Sequence, residues 1–371
     1  MKHFFLNCIC VMIVGLTMCC THNDFYYAVD KNLTIEIPDS TDTIHGNFVC
    51  QFEGEYNLVG IESVDSFVVL FCEHKDSLIF VMNSNNDSLI GGFGAIGRAK
   101  NEMIVPMREC QFDKSINGDI LMYVDDFNKN SVLAFNFSKS LENNQLVYVK
   151  KMPYEIINQS EQFACFSMSD NEYVMYQGLA WEDDVRDEKT ITPYVYRSSD
   201  CSNKKIIYHR MINGKDIQKT FIYNIMVKIK PDKSKLLLAH GNIGQFTILD
   251  LDSWKSIGVH EKTSYDFDYL RELAEEDTKF FFSKLKAYYT YCNVTDEFII
   301  MSRDGTHSMH EFEGIDIFQP MICFFDWSGN LIYSFIAYEE IGPIALNMHN
   351  KCIYGIGTDN NVYKYDLSKV L

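Results

Sequence analysis

The stretch Met321–Phe335, MICFFDWSGNLIYSF, decides the fold. Met321–Phe325 is a continuous apolar run. Asp326-Trp327-Ser328-Gly329-Asn330 then supplies the Asp, Gly and Asn that a tight turn needs before Leu331–Phe335 returns, so the stretch reads as a β-hairpin. The pattern repeats downstream, where Cys352–Ile356 and Val362–Tyr365 flank Thr358-Asp359-Asn360-Asn361, polar residues able to take left-handed backbone angles.

The same unit, a short β-rich run leading into polar turn residues, recurs upstream. Its copies are Leu78–Val81, Val132–Phe135, Tyr194–Tyr196, Phe246–Leu249, Ile322–Phe325 and Val362–Tyr365, at intervals of 40 to 76 residues. A second run precedes each copy: Phe67–Cys72, Ile120–Val124, Tyr173–Tyr176, Leu236–His240, Phe298–Ser302 and Cys352–Ile356. Such a period marks stacked supersecondary units. Many of the runs are apolar on both faces, as strands covered on two sides must be, and a propeller covers every blade that way. The expected fold is all-β, a six-bladed β-propeller. Only six residues follow Val362–Tyr365, too few for an outer strand. The last blade is therefore expected to be closed by an N-terminal strand, either Phe25–Val29 or Leu33–Ile37, which would protect an open edge.

A chain of 371 residues, 47% of them hydrophobic, can bury a large core, and no linker divides it. The expected organisation is a signal peptide over residues 1–18, a tether over 19–24 and one propeller domain over 25–371. Lys2 and His3 precede an apolar run from Phe4 to Met18 that is shorter than the ~20 residues of a membrane span. Leu16-Thr17-Met18-Cys19 resembles a bacterial lipobox, which makes Cys19 the expected lipidation site. Met18 departs from the usual small residue, which leaves Cys20 as the alternative. This implies a lipid-anchored protein of the bacterial cell envelope, with the membrane as one partner. The formal charge of −18 argues against nucleic acid as another. The twelve cysteines are irregularly spaced and form no CxxC; Cys72, Cys323 and Cys352 fall inside apolar runs and are expected to be buried thiols.

Gly92-x-Gly94-x-x-Gly97 matches the dinucleotide fingerprint in letters only. The fingerprint must open a helix within a βαβ unit, whereas Pro106 follows here and the next periodic element is a strand. The same stretch, FGAIGRAKNEM over residues 93–103, resembles a loop of the TolB-like six-bladed propeller lipoproteins. Phe93, Gly94, Gly97 and Glu102 match that loop, while Ala99, Lys100 and Asn101 stand where the family has Gly-Pro-Gly. KPDKSKLLLAHGNIGQFTILDL (230–251) and FFDWSGNLIYSF (324–335) resemble blades of the same group. The resemblance implies the fold and an envelope location, and no ligand or reaction.

No nucleophile-elbow, metallopeptidase, phosphate-loop or zinc-ribbon motif is present. Trp181 beside Asp183 and Asp184 could offer an aromatic platform and carboxylates to a sugar or a cation. His307 and His310 form a second candidate binding pair, but their surroundings lack zinc-finger spacing, so neither a structural metal nor a cofactor is expected. In the long excursion Ser264–Tyr291, the spacing of Phe267, Leu270, Leu273 and Ala274 predicts one short helix. The functional expectation is a non-catalytic binding or scaffold lipoprotein contacting an envelope protein or glycan. The alternative is a glycan-active hydrolase or lyase using carboxylates where blade loops converge.

Overall fold

The structure is a computed structural model that describes residues 29–38, 41–52, 56–74, 77–103, 110–154, 163–169, 172–177, 194–197, 204–206, 218, 221–309 and 319–371. Three strands come first: β1 (Lys31–Ile35), β2 (Thr43–Ile44) and β3 (Asn47–Gln51). Sheet one is β4 (Leu58–Val64), β5 (Phe67–Cys72), β6 (Ile79–Asn83) and β7 (Ser88–Phe93). Sheet two is β8 (Gln111–Lys114), β9 (Ile120–Asp126), β10 (Ser131–Asn136) and β11 (Tyr148–Pro153). Sheet three is β12 (Phe163–Ser167), β13 (Tyr173–Gln177), β14 (Tyr194–Arg197) and β15 (Lys204–Ile206). Sheet four is β16 (Ile225–Ile229), β17 (Lys235–His240), β18 (Gln245–Asp250) and β19 (Ser256–Glu261). Sheet five is β20 (Tyr289–Val294), β21 (Phe298–Arg303), β22 (Met321–Asp326) and β23 (Leu331–Ala337), and β24 (Ile341–Asn347), β25 (Cys352–Gly357) and β26 (Asn361–Asp366) begin sheet six.

Within each sheet the strands pair antiparallel in chain order, which is the architecture of a β-propeller. The repeated hairpins seen in the sequence are the second and third strands of every sheet. These middle strands lie between neighbouring sheets, which explains their apolar character on both faces. Val68, Val69, Leu70 and Cys72 of β5 are all fully buried, as are Leu236, Leu237, Leu238 and Ala239 of β17. The expectation of six blades needs correction: the propeller has five full blades. Five sheets have the strand lengths of full blades, whereas sheet three is reduced to strands of five, five, four and three residues. The cluster between sheets two and three, around Tyr123, Met152 and Cys165, is correspondingly the smallest of the buried clusters among the described residues.

An N-terminal strand does close the last sheet, but it is β3, which pairs antiparallel with β26, Val362 facing Cys50 and Tyr363 facing Phe48. The two segments expected in that place do not fill it. Phe25–Val29 lies outside the described residues except for Val29. Leu33–Ile37 belongs with β1, which pairs parallel with β19 of sheet four, Leu33 facing Val259. β2 pairs parallel with β23 of sheet five. The N-terminal segment therefore runs around the rim and covers the outer edges of sheets four, five and six in turn before entering sheet one. Register explains why Leu33–Ile37 goes to sheet four: Ile35 and Ile37 then bury into the cluster of Phe246, Val259 and Phe325. Strand-forming residues alone do not specify which edge they join.

Asparagines and an aspartate latch sheet six to sheet one. Asn360, at φ 62°, accepts from the Leu58 amide at 2.9 Å and donates to the carbonyls of Phe52 and Tyr56. Asn347 donates to Ser63 and to the Asp65 carbonyl, and Asp87 accepts from Tyr354 at 2.6 Å and from Lys364 at 3.0 Å. In the turn that opened the sequence reading, the Asp326 carboxylate accepts from the Ser328 and Asn330 amides, and Gly329 takes φ 89°. Partial burial opposes its ionisation, but these donors outweigh burial and hold the carboxyl below its ordinary range.

Over residues 94–103 the loop after β7 opens no helix, in keeping with the rejected fingerprint. Instead Glu102 folds back so that its carboxylate accepts from the Ala99 amide at 2.8 Å, and Lys129 of sheet two donates to the Ala99 and Glu102 carbonyls. A Cβ at Gly97 would stand 2.0 Å from Glu102 Oε2 and would evict that carboxylate. The excursion before sheet five holds two helices rather than the one expected. These are α2 (Phe267–Glu275) and α3 (Thr278–Lys284); α1 (Phe137–Asn143) lies in sheet two. Glu276, extended at φ −68° and ψ 171°, ends one helix and Asp277 caps the next, accepting from the Lys279 and Phe280 amides, so the acidic run Glu275-Glu276-Asp277 is a helix junction.

A cavity between the inner strands as the candidate functional site

The first strand of each sheet faces the middle of the ring. β16, β20, β24 and β4 pack in succession and close one side of it. A cavity of about 1010 Å³ lies between the inner strands, walled by residues such as Phe112, Ala164, Phe166, Ile225 and Val227 from sheets two, three and four and bounded by Glu62, Asn293 and Leu346 from sheets one, five and six. It is mostly apolar in its walls and polar at the ends of the inner strands.

The polar end is built from residues far apart in sequence. Lys228 of β16 donates to Glu62 of β4 at 2.8 Å, joining sheet four to sheet one, and both side chains are nearly buried. Asn293 of β20 donates to the other oxygen of the same carboxylate at 2.8 Å and accepts from the Leu346 amide. Three sheets thus meet at one carboxylate and Asn293 ties in sheet six, which helps hold these inner strands together. Gln111 and Ser167 clasp sheets two and three by a reciprocal pair of 2.8 Å hydrogen bonds. At the mouth, Lys114 pairs with Asp65 at 3.0 Å, and Lys233 reaches Asp113 at 2.6 Å and the Met168 carbonyl at 3.1 Å.

Asp125 lines the wall between sheets two and three and is 8% exposed. Its Oδ1 accepts from the Tyr154 hydroxyl at 2.5 Å, whereas its Oδ2 has no hydrogen bond of regular geometry. Burial raises its carboxyl to about 7. The Asp126 charge adds to the rise, while the Tyr154 hydroxyl and the Cys165 backbone N–H oppose it. The folded protein therefore holds this proton more tightly than the unfolded chain. The group costs stability progressively as pH rises from about 4, the ordinary aspartate value, to about 7. Asp125→Asn is expected to melt like the parent at pH 4 and to be more stable at pH 8, by on the order of 2–4 kcal/mol. Thermal melts at the two pH values check this; equal curves at pH 8 would show that the carboxylate is solvated.

None of the site residues expected from the sequence lines this cavity among the described residues. Trp181, Asp183, Asp184 and His310 lie outside the described residues, as do Cys19 and Cys20. His307 is described, on the loop after β21, where Nδ1 is 2.8 Å from Asp304 Oδ1 and the backbone N–H also donates to Asp304. Cys72, Cys323 and Cys352 are buried free thiols, as expected; burial pushes Cys72 to about 11 and Cys323 to about 12. The cavity residues themselves had one signal in the sequence, the charged Lys228 inside the apolar β run IMVKI.

No family model matches the chain. No curated protein matches it either. Among solved structures it is similar to a protein of Bacteroides fragilis described as exported, at 11% identity and TM-score 0.49 over 90% of this chain and 98% of that one. It is also similar to the computationally designed Ika8 protein, at 10% identity and TM-score 0.41 over 86% and 100% of the two chains. A third similar structure is the Cps50 (Swd1) β-propeller domain of Myceliophteria thermophila, at 10% identity and TM-score 0.39 over 87% and 100%.

Proposed function

We propose that this chain is a lipid-anchored propeller of a bacterial envelope that holds a partner in the cavity between its inner strands without transforming it. In this reading sheet three completes a ring of six blades, as in the TolB-like lipoproteins that the 93–103 loop resembles, and Cys19 carries the lipid. The observation that carries the binding reading is the cavity of about 1010 Å³, large enough for a small ligand or a few residues of a chain. Its polar end supports a scaffold role. Glu62, Lys228 and Asn293 are spent on one another, an arrangement that positions sheets rather than activating a nucleophile.

The reading has two tests. Mass spectrometry of the mature N-terminus should find a lipidated Cys19; an unmodified peptide beginning after residue 20 would defeat the anchor. A photo-crosslinking residue at Phe166, inside the cavity, should capture a partner in cells, and the narrowing variant Ala164→Trp should abolish that capture.

One observation favours the second reading, an envelope glycan hydrolase or lyase. A carboxyl held protonated near neutrality, as Asp125 is, is what a general acid requires. New reducing ends or unsaturated products from a panel of cell-surface polysaccharides, lost in Asp125→Asn, would establish it.

A further inference from the structure

One carboxylate of the cavity lining, Asp113, already holds a cation. Lys233 belongs to the turn between β16 and β17, where it takes φ 64°, a left-handed angle unusual for a long side chain. From there its side chain passes over sheet three, leaving the ammonium between the Asp113 carboxylate of sheet two and the Met168 carbonyl of sheet three, at 2.6 and 3.1 Å. The stem is largely covered, with the side chain 17% exposed. This is a formed seat for an alkylammonium: a carboxylate and a carbonyl from two sheets beside an apolar wall.

Two further observations point to a cation. Asp232, Asp296 and Glu297 also line the mouth, so carboxylates there outnumber the lysines. Separately, Asp125 lines the same cavity, more than nine-tenths buried, with one carboxylate oxygen lacking a hydrogen bond of regular geometry. A cation entering the cavity would satisfy it, whereas an anion would be repelled.

We infer that the cavity binds a primary ammonium on an aliphatic stem, and that Lys233 is an internal stand-in for it, seated on Asp113 and Met168 until the ligand displaces it. The ammonium could come from a lysine of a partner protein or from a free amine. The inference rests on the cavity being the binding site.

Calorimetric titration of the full chain tests it with three probes: the peptide acetyl-Leu-Lys-Leu-amide, the same peptide with norleucine for lysine, and 1,5-diaminopentane. At least one ammonium probe should bind and the norleucine peptide should not. Binding should tighten about three- to tenfold in Lys233→Ala, which removes the competitor, and weaken by about tenfold or more in Asp113→Asn. Both residues sit at the partly exposed mouth, and a thermal melt of each variant confirms that it is folded. Binding of the peptide alone assigns the ammonium to a protein lysine, and binding of the diamine alone assigns it to a free amine. The inference is overturned if neither ammonium probe binds, if norleucine serves as well as lysine, or if Lys233→Ala fails to tighten binding. Norleucine binding that Ala164→Trp abolishes would remove the ammonium and keep the cavity. Ammonium binding that survives Ala164→Trp would remove the cavity reading itself.

Discussion

Deleting residues 30–51 should abolish cooperative folding of the entire propeller, because this segment covers three sheet edges. β3 is the outer strand of sheet six, and without it β26 would expose a full row of unpaired backbone groups. β1 carries Ile35 and Ile37 into the cluster of sheets four and five, each worth about 1.5–3 kcal/mol when fully buried. Adding the lost pairing of β1 with β19 and β2 with β23, the sum approaches the about 5–15 kcal/mol that holds a typical domain folded. The expected result is a chain without a cooperative thermal transition, with its exposed edges driving association. Circular dichroism melting and size-exclusion chromatography decide it. A monomer melting within a few degrees of the parent would mean that the ring closes through the side-chain latches of Asn347, Asn360 and Asp87 alone.

The second large effect is expected at Arg303. Its guanidinium donates to both oxygens of Glu261, at 2.9 and 2.6 Å, tying β21 of sheet five to β19 of sheet four. The carboxylate is 1% exposed and the arginine 9%, so the pair sits inside the interface. Gly305, at φ 72°, lets the guanidinium lie against the backbone; a Cβ there would stand 2.4 Å from Nη2. Arg303→Met fills much of the volume but leaves a charged carboxylate buried without its partner, which should cost about 3–5 kcal/mol. The double variant Arg303→Met with Glu261→Gln removes that charge and should recover a substantial part of the loss. Denaturant unfolding of the two singles and the double measures the coupling. A loss of under about 1 kcal/mol in Arg303→Met would show that solvent reaches Glu261.

The other variants depend on the same topology. Asp125→Asn reports on burial between sheets two and three. Lys233→Ala and Asp113→Asn report on the mouth above it. Sheet three, with its short strands, contributes Ala164, Cys165 and Phe166 to the cavity wall.

Hairpin periodicity was enough to find the propeller from sequence. The middle two strands of each sheet are buried on both faces, so runs such as Phe67–Cys72 and Met321–Phe325 had to be apolar throughout, and the turns between strands had to carry residues such as Asp326, Gly329 and Asn360. That signal is local, and it survives in the sequence because burial acts on each residue separately. The buried thiols were legible for the same reason. The partner of each N-terminal strand was not, because β1 and β3 have similar compositions, and which edge each joins depends on register and on what lies beneath it. The first helix was legible from the spacing of Phe267, Leu270, Leu273 and Ala274; the second was not, because Phe280, Phe281 and Phe282 are consecutive and its start is marked only by the Asp277 cap. The cavity was least legible of all. Glu62, Lys228 and Asn293 are 231 residues apart at the extremes and each sits alone in a β run; only closure of the ring joins them at the Glu62 carboxylate on the lining of the cavity. Sequence by itself determined which residues turn inward, because that follows from their chemistry. The tertiary structure decided which of them meet.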